Sequence, residues 1–310
     1  MKESLCIAFS GGRTSAMMTK ILLDKYKHLY NFDIVFCNTG HEREATLEFV
    51  KKCDDEFGFN TTWIEAVTNN KKGTGVSAKI VTYETAYRNL LKNGVDPFEE
   101  VIKKHGITNQ DYPTCTREMK TTAVRAYMRD IKGHKKIDYK VMLGIRTDEP
   151  KRLNWAKAKR DKLKYFAEIL NVTKYDVNEF WTKQKFDLNL KSYQGNCILC
   201  WKKSDRKLFT IIQEGILSND KELLAEIEWF KYIENKYGSF FPRGGSYNYE
   251  FMRFFRHRRS INDIIQESNF LDLSDYAKDE SNILNLAKQM SMWDIELDGN
   301  AGCSESCEAF

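Results

Sequence analysis

The sequence has 310 residues, of which 49 are Lys or Arg and 44 are Asp or Glu, so its formal net charge is +5. Hydrophobic residues make up 42%, which is typical of a globular protein, and no apolar run approaches the roughly 18 residues that a membrane-spanning helix needs. The small net charge does not by itself indicate a nucleic-acid-binding protein. The first residues lack the layout of a signal peptide, so we expect a cytoplasmic protein without a membrane partner.

The first part of the chain alternates between short apolar runs and helical patterns. Strands are predicted at residues 5–9, 32–37 and 61–64, and helices at 14–26 and 44–57. This alternation predicts an α/β domain over residues 1–150, with a parallel twisted sheet and helices on both faces. Ligands of such sheets lie at the carboxyl ends of the strands.

The second part of the chain is mainly helical. No clean strand is predicted between about 66 and 116, and a helix over 116–129 leads to a buried strand at 139–144. Beyond these, helices are predicted at 158–170, 173–184, 203–213 and 219–236. The last residues are small and polar, which is typical of a loose tail. We expect a second, mainly helical region over 151–310 that carries a Cys-x-x-Cys motif and this tail.

The loop after the first strand has the composition of a phosphate-binding loop. Gly11 and Gly12 allow positive φ and a close approach of the backbone to an anion. The helix that follows would direct its free amides and positive dipole end at that anion, and the hydroxyls of Ser10, Thr14 and Ser15 could add hydrogen bonds. The alternative is an ordinary strand-to-helix turn, with Thr14 or Ser15 as the N-cap.

Five motifs in this order resemble the PP-loop ATP pyrophosphatase superfamily. Within it, the chain is most similar to phosphoadenosine phosphosulfate reductase-like proteins, especially those common in phages and prophages. The resemblance covers roughly residues 5–210. The motifs are Ser10-Gly11-Gly12-Arg13-Thr14-Ser15, Asn38-Thr39-Gly40, Cys115-Thr116-Arg117-Glu118-Met119-Lys120, Gly144-Ile145-Arg146-Thr147-Asp148-Glu149 and the segment from Gly195 to Lys203.

The resemblance implies an adenine nucleotide across the strand ends, either ATP or a sulfonucleotide, with Mg²⁺ at its phosphates. The base would lie near the backbone after Phe36. Arg146 would act on the reacting phosphate or sulfate, because its guanidinium is a permanently charged planar fork. The residues implied in nucleotide binding are Ser10, Gly11, Gly12, Arg13, Thr14, Ser15, Asn38, Thr39, Gly40, Gly144, Arg146, Glu149 and Arg152.

Cys197 and Cys200 form a Cys-x-x-Cys motif, a spacing that supports a metal, an iron–sulfur cluster or a redox pair. The resemblance implies a [4Fe–4S] cluster held by Cys115, Cys197 and Cys200, with Thr114 where related reductases carry a further cysteine. The fourth position would be open, or would be filled by a tail cysteine. A zinc site with the same ligands and the absence of any metal are the alternatives.

The tail carries Cys303 and Cys307, which we predict as candidate nucleophiles by resemblance to the tail thiol of sulfonucleotide reductases. The Glu-Cys-Gly signature of that tail is absent, so the alternative is a tail without a chemical role. Cys6, Cys37 and Cys53 lie in or beside predicted strands and a helix, and we expect them to be small core residues.

The segment 251–260 mixes basic and aromatic residues. It predicts contact with a nucleic-acid acceptor, or a helix that packs its Phe face and solvates its Arg face. His41 and Glu42 follow the second strand and would orient a nucleotide or cap a helix.

Three functions are compatible with these motifs. The first is ATP-dependent adenylation followed by sulfur transfer from a cluster, with a sulfur donor protein or thiol reductant as partner. The second is a sulfonucleotide reductase that uses a tail thiol. The third is a nucleotide- or zinc-binding interaction protein without catalysis. A homo-oligomer is compatible with each.

Overall fold

The computed structural model describes residues 2–69, 71, 73–242 and 250–281. Its centre is a six-stranded sheet in the order β4-β3-β2-β1-β5-β6, parallel throughout except for β4, which runs antiparallel to β3. This confirms the predicted α/β fold. The strands are β1 Glu3–Ala8, β2 Tyr30–Asn38, β3 Thr62–Thr68, β4 Val76–Val81, β5 Tyr139–Leu143 and β6 Leu163–Tyr165.

Helices cover both faces of the sheet, and the described residues after 200 are mainly helical, as predicted. None of the helices in the described ranges is long and apolar enough to cross a membrane. The helices are α1 Arg13–Tyr26, α2 Glu44–Phe57, α3 Pro97–His105, α4 Ala123–Ala126 between π-helical turns at Cys115–Thr122 and Tyr127–Ile131, α5 Trp155–Asp161, α6 Lys174–Thr182, α7 Asp205–Leu217, α8 Lys221–Tyr237 and α9 Ile261–Ser268, with 3₁₀ turns at Pro150–Arg152, Phe166–Glu168, Arg256–Arg258 and Leu273–Asp275.

The central strand β1 separates two apolar cores. Leu5 and Ile7 pack on one face against α1, α2 and α6. Cys6 and Ala8 pack on the other face, where the helical residues 115–131 and the C-terminal helices lie. Because side chains alternate across a strand and both faces are covered, β1 reads as a continuous apolar run. Cys6 is buried as predicted, and so are Cys37 and Cys53.

Two predictions between the motifs are wrong. The stretch predicted to lack a strand contains β4, and also helix α3. β4 is an edge strand whose ends, Val76 and Val81, are buried while its middle is largely exposed, so it shows no clean apolar run. The helix predicted over 158–170 ends at Asp161, because Lys162 adopts the left-handed conformation with φ +56° and the chain continues as β6.

The strand order creates a crevice above β1. The chain moves from β1 to β2 on one side, and returns to pair β5 on the other side of β1. This is the topological switch point at which open α/β sheets bind their ligands. β6 extends the same sheet beyond residue 150, so the sheet draws on both predicted regions, and the boundary at 150 stays a prediction.

Candidate functional site

The loop after β1 leads directly into α1. The N-cap of α1 is Gly12, and among the described residues no side chain caps the amides of the first turn. The hydroxyl of Ser15 donates to the Gly12 carbonyl at 3.0 Å and lies 2.8 Å from the hydroxyl of Ser10. The alternative in which Thr14 or Ser15 caps the helix is therefore wrong. The first-turn amides keep the partial positive charge of an uncapped helix start.

Glycines allow the close contacts around this loop. Gly11 has φ +78°, and a Cβ there would lie 2.7 Å from Cγ2 of Thr46. Gly12 has an extended conformation with φ −100°, so of the two glycines only Gly11 has the predicted positive φ. A Cβ on Gly144, just after β5, would lie 3.0 Å from Cα of Ser15. The segment after β5 therefore lies directly against the first turn of α1.

Arg146 brings positive charge to this contact. Its side chain is 6% exposed, donates to Thr14 Oγ1 at 3.2 Å and pairs with Asp148 Oδ1 at 2.8 Å. One oxygen of Glu149 accepts from the Arg146 amide at 3.1 Å, and the other pairs with Arg152 at 2.5 Å. Two arginines and two carboxylates thus form a network beside the start of α1. We call this network, together with residues 10–15, the first corner.

Arg13, the remaining motif residue of the loop, has a different environment. Its guanidinium forms a two-pronged pair with Asp187, at 2.7 and 2.8 Å, and donates to the Leu188 carbonyl at 2.9 Å. The indole of Trp181 donates to the Arg13 carbonyl at 3.1 Å. These contacts fasten the start of α1 to the chain after α6.

We call residues 38–42, at the end of β2, the second corner. Their side chains form hydrogen bonds to other protein groups. Asn38 donates to the Tyr87 carbonyl at 2.9 Å. Glu42 accepts from the amide of Thr39 at 2.9 Å and from its hydroxyl at 2.6 Å. Gly40 has φ +84°, and a Cβ there would lie 2.3 Å from Cδ1 of Tyr87. The loop between β2 and α2 thus has a fixed shape.

His41 lies in a buried charge network that sequence reasoning missed. Its Nδ1 lies 2.9 Å from both oxygens of Glu226, and its Nε2 lies 3.4 Å from Asp96. Asn89 and the indole of Trp229 donate to these carboxylates at 2.8 and 2.6 Å. Burial opposes the charged imidazole, but Glu226 and Asp96 together raise the pKa of His41 to about 10. The acids come from α8 and from the N-cap of α3, so the network joins three elements.

The segment Gly195-Asn196-Cys197 links the two corners. The Arg43 amide donates to the Asn196 carbonyl at 2.9 Å, and the Ile198 amide donates to the His41 carbonyl at 3.1 Å. Asn196 Nδ2 donates to the Ser10 carbonyl at 2.5 Å. The side chain of Asn196 therefore bonds to the loop of the first corner, while its backbone carbonyl bonds to the chain just after the second corner.

Comparison with known proteins decides the family. Residues 4–195 match the phosphoadenosine phosphosulfate reductase domain. The chain belongs to this family. It is also 28% identical, over 304 residues that cover 98% of it and 94% of the relative, to the uncharacterized nin region protein ORF290 of Escherichia phage lambda. No solved structure matches the chain.

Membership of the phosphoadenosine phosphosulfate reductase domain family confirms the predicted resemblance and supports a nucleotide-binding enzyme. The matched range contains both corners, including Arg146 and Arg152. It ends at residue 195, before Cys197 and Cys200. The family match therefore spans both corners and leaves the Cys-x-x-Cys motif outside it.

The predicted metal ligands do not form a metal site in the described part of the chain. No group of three or more His, Cys, Asp or Glu side chains there could hold a metal ion. The Cys197 thiol donates to Glu42 at 3.7 Å, and the Cys115 sulfur accepts from the Thr108 hydroxyl at 3.6 Å. The predicted cluster and the zinc alternative are therefore not supported, and Cys303 and Cys307 lie outside the described residues.

The basic segment 251–260 packs Phe rings as its alternative predicts, but it is not the predicted helix, since only Arg256–Arg258 forms a 3₁₀ turn. Phe254 and Phe255 are buried in the core that contains the C-terminal helices. Arg259 pairs with Asp205 at 2.6 Å and also with Glu267. Arg256 donates to the Lys202 carbonyl at 3.0 Å. Phe251 is 48% exposed, but Phe254 and Phe255 are not available for stacking, and nucleic-acid contact through this segment is not supported.

Proposed function

We propose that this protein binds ATP with its phosphates at the first corner and transfers the adenylyl group to an acceptor. The observation that carries the proposal is the meeting of an uncapped helix N-terminus, the hydroxyls of Thr14 and Ser15, and the buried guanidinium of Arg146 at the switch point. Backbone amides and a planar cation are the usual partners of phosphate groups. The family supports nucleotide binding in general; the choice of ATP is our proposal.

The charge of the two corners supports one orientation of the nucleotide. A cavity of about 430 Å³ opens at the second corner, and its walls include Gly40 and the carboxylates of Glu42, Glu44 and Glu226. Arg88, the cation that lines this cavity, is already paired with Glu44 at 2.7 Å, so we assign the triphosphate to the first corner and point the nucleoside toward β2. The guanidinium of Arg146 forms an ion pair with the carboxylate of Asp148 at 2.8 Å. A phosphate oxygen would compete with this carboxylate for the guanidinium.

In the proposed step, an acceptor oxygen attacks the α-phosphorus of ATP. The bond from that phosphorus to the bridging oxygen breaks, and pyrophosphate leaves with the electron pair while the acceptor proton passes to solvent. Arg146 and the first-turn amides of α1 stabilise the charge that develops on the phosphate oxygens. Mg²⁺, a [4Fe–4S] cluster and a sulfur donor protein are implied by resemblance only, and we assign no step to them.

A sulfonucleotide reductase is the second candidate, and the family match favours it. A thiolate would attack the sulfur of the sulfonucleotide, and the sulfur–oxygen bond would break with its electron pair left on the phosphate oxygen. A second thiol would then attack the cysteine sulfur, which releases sulfite and leaves the two thiols oxidised to a disulfide. The predicted thiols for this chemistry are Cys303 and Cys307. A thiol reductant would be its partner.

Two arginines of the motifs provide the test. Arg146→Gln removes a charge-assisted contact of roughly 1.5–3 kcal/mol, so we expect ATP affinity measured by calorimetry to fall about ten- to a hundredfold. Arg13→Gln removes the Asp187 pair and should lower thermal stability while ATP affinity stays within about twofold of the native value.

Product analysis with the native protein then separates the two reactions. Pyrophosphate release from ATP is expected in the presence of a nucleophilic acceptor. Equal affinity losses in the two arginine variants would contradict the assigned phosphate site. Sulfite release from phosphoadenosine phosphosulfate without pyrophosphate release from ATP would replace adenylyl transfer by the reductase reaction.

A further inference from the structure

We infer that the β6 side of the sheet carries a binding surface for single-stranded nucleic acid. This surface, the basic edge, consists of Lys135, Lys136, Lys157, Lys159, Arg160 and Lys162, with Trp155 at the end nearest the first corner. The inference goes beyond the proposed function and does not depend on it, because it concerns a surface whose binding is measured without ATP.

The chain concentrates its positive charge in this region. Residues 125–164 contain fourteen Lys and Arg against five Asp and Glu, a net charge of +9. Since the whole chain carries +5, the remaining residues sum to −4. A protein with a small net charge thus has one strongly basic segment, which is the electrostatic pattern of a polyanion-binding surface.

Five of these fourteen cations pair with carboxylates of their own, but the charges of the basic edge are compensated only in part. Lys136 and Arg160 each lie 3.0 Å from a carboxylate oxygen of Asp161, and Arg125 lies 3.5 Å from it. Burial opposes ionisation of this carboxyl, but Arg160 and Lys136 lower the pKa of Asp161 to about 2. One carboxylate is therefore shared by three cations, which leaves most of their charge uncompensated.

Further cations of the basic edge have no acidic partner within the described residues. No carboxylate there lies within 4 Å of the ammonium groups of Lys135, Lys157, Lys159 or Lys162. The ammonium group of Lys162 donates to the carbonyl of Ile137, at 2.8 Å. This contrasts with the segment 251–260, where Arg259 is held by two carboxylates.

Trp155 adds a stacking platform beside the proposed reaction site. It is 55% exposed at the first residue of α5, and its ring meets Tyr165 edge-on at 5.4 Å. Three residues earlier, Arg152 pairs with Glu149, which also bonds to the amide of Arg146. A backbone that follows the basic edge with a base on Trp155 would end at the first corner. Exposed aromatics next to cations are how proteins bind single strands without sequence preference.

Fluorescence anisotropy with labelled 20-nucleotide poly(U), poly(dT) and a duplex of equal length tests the inference. We expect the native protein to bind the single strands in 50 mM salt. The ratio of its affinities for poly(U) and poly(dT) distinguishes RNA from DNA as the ligand. The double variant Lys157→Gln/Lys159→Gln should lose at least fivefold in affinity and reduce the salt slope by about 1.4. The matched control Lys51→Gln/Lys52→Gln, on α2, should stay within about twofold.

Trp155→Ala tests the stacking part. A loss of about 1–3 kcal/mol per stacked base corresponds to about five- to 150-fold weaker binding of single strands, with duplex binding unchanged. The inference is overturned if the native protein binds neither poly(U) nor poly(dT), or if the α2 control weakens binding as much as the α5 variant. It is also overturned if anionic phospholipid vesicles outcompete the oligonucleotides, or if Trp155→Ala leaves single-strand binding intact.

Discussion

At the end of β1, the polar groups surround a helix start that no side chain caps, whereas at the end of β2 the side chains of Asn38, Thr39 and His41 are bonded to protein partners. Both corners lie at carboxyl ends of adjacent parallel strands. They differ in what would complete them: the first has amides and an arginine suited to an anion, and the second already contains its own counter-charges.

The partners of Arg146 and His41 indicate that the first corner binds a ligand and that the second corner stabilises the fold. At the first corner, Arg146 is held by acids only two and three residues further along the chain, so a ligand can exchange with them locally. At the second corner, His41 is held by Glu226 on α8 and by Asp96 before α3, and a change there would disturb three elements. We therefore expect substitutions at the second corner to affect mainly stability, and substitution of Arg146 at the first corner to affect mainly binding.

The largest effect is expected at Gly40. Gly40→Ala places a Cβ 2.3 Å from the buried ring of Tyr87 and adds a side chain to a residue at φ +84°. Left-handed strain and overpacking together should cost about 3 kcal/mol of the free energy of unfolding. Urea unfolding followed by circular dichroism measures this loss.

Gly58→Ala is the matched control, because Gly58 has φ +66° but nothing within 4 Å of its added Cβ. It should cost only the conformational strain, about 1 kcal/mol. If the two variants lose the same stability, the contact with Tyr87 does not fix the second corner.

The next effect concerns the buried histidine. Glu226→Gln leaves His41 with one charged partner and should cost about 2 kcal/mol of the free energy of unfolding near pH 6. The pKa of His41 is raised from about 6.5 to about 10, so its pairing stabilises the folded chain fully below pH 6.5 and is lost as the pH rises through 10. The difference between native and variant protein should therefore shrink from pH 6 to pH 10.

Glu228→Gln, on the same helix, controls for the loss of a charge. Glu228 is exposed and pairs with Lys231 at 2.8 Å, so its change should stay within about 0.5 kcal/mol at every pH. A pH-independent loss in Glu226→Gln would show that the residue acts through packing and not through the charge of His41.

The first corner could be predicted because its parts are close in sequence. The apolar run of β1, the glycine loop and the start of α1 are consecutive, and the carboxyl ends of parallel strands meet at one edge. Arg146 follows a predicted buried strand, so this rule places it at the same edge of the sheet as the loop. The edge strand β4 was missed because its middle is exposed and its pattern is mostly polar.

The second corner could not be predicted in this way. His41 and Glu226 are 185 residues apart, and His41 and Asp96 are 55 apart, so no local spacing shows that they meet. Arg13 lies inside the loop motif, yet its bonds to Asp187 span 174 residues. A motif places a backbone at a site, but the direction of a side chain depends on distant segments that pack around it.

The smallest effect compares two acids on α8. Glu226 is paired with His41, whereas Glu234 accepts only backbone hydrogen bonds, and its Oε1 has no hydrogen-bond partner among the described residues. Burial raises the pKa of Glu234 to about 7. The protonated form is thus favoured in the folded chain, and the stability that it contributes is present below about pH 4.5 and is lost as the pH rises through 7.

Glu234→Gln should therefore stabilise the protein by about 1 kcal/mol at pH 8, since relief of the buried charge exceeds the cost of an unpaired amide group. At pH 4.5 the same substitution should be neutral or slightly destabilising in urea unfolding. A loss of stability at both pH values would mean that the Glu234 carboxylate is stabilised in the folded chain, contrary to its raised pKa.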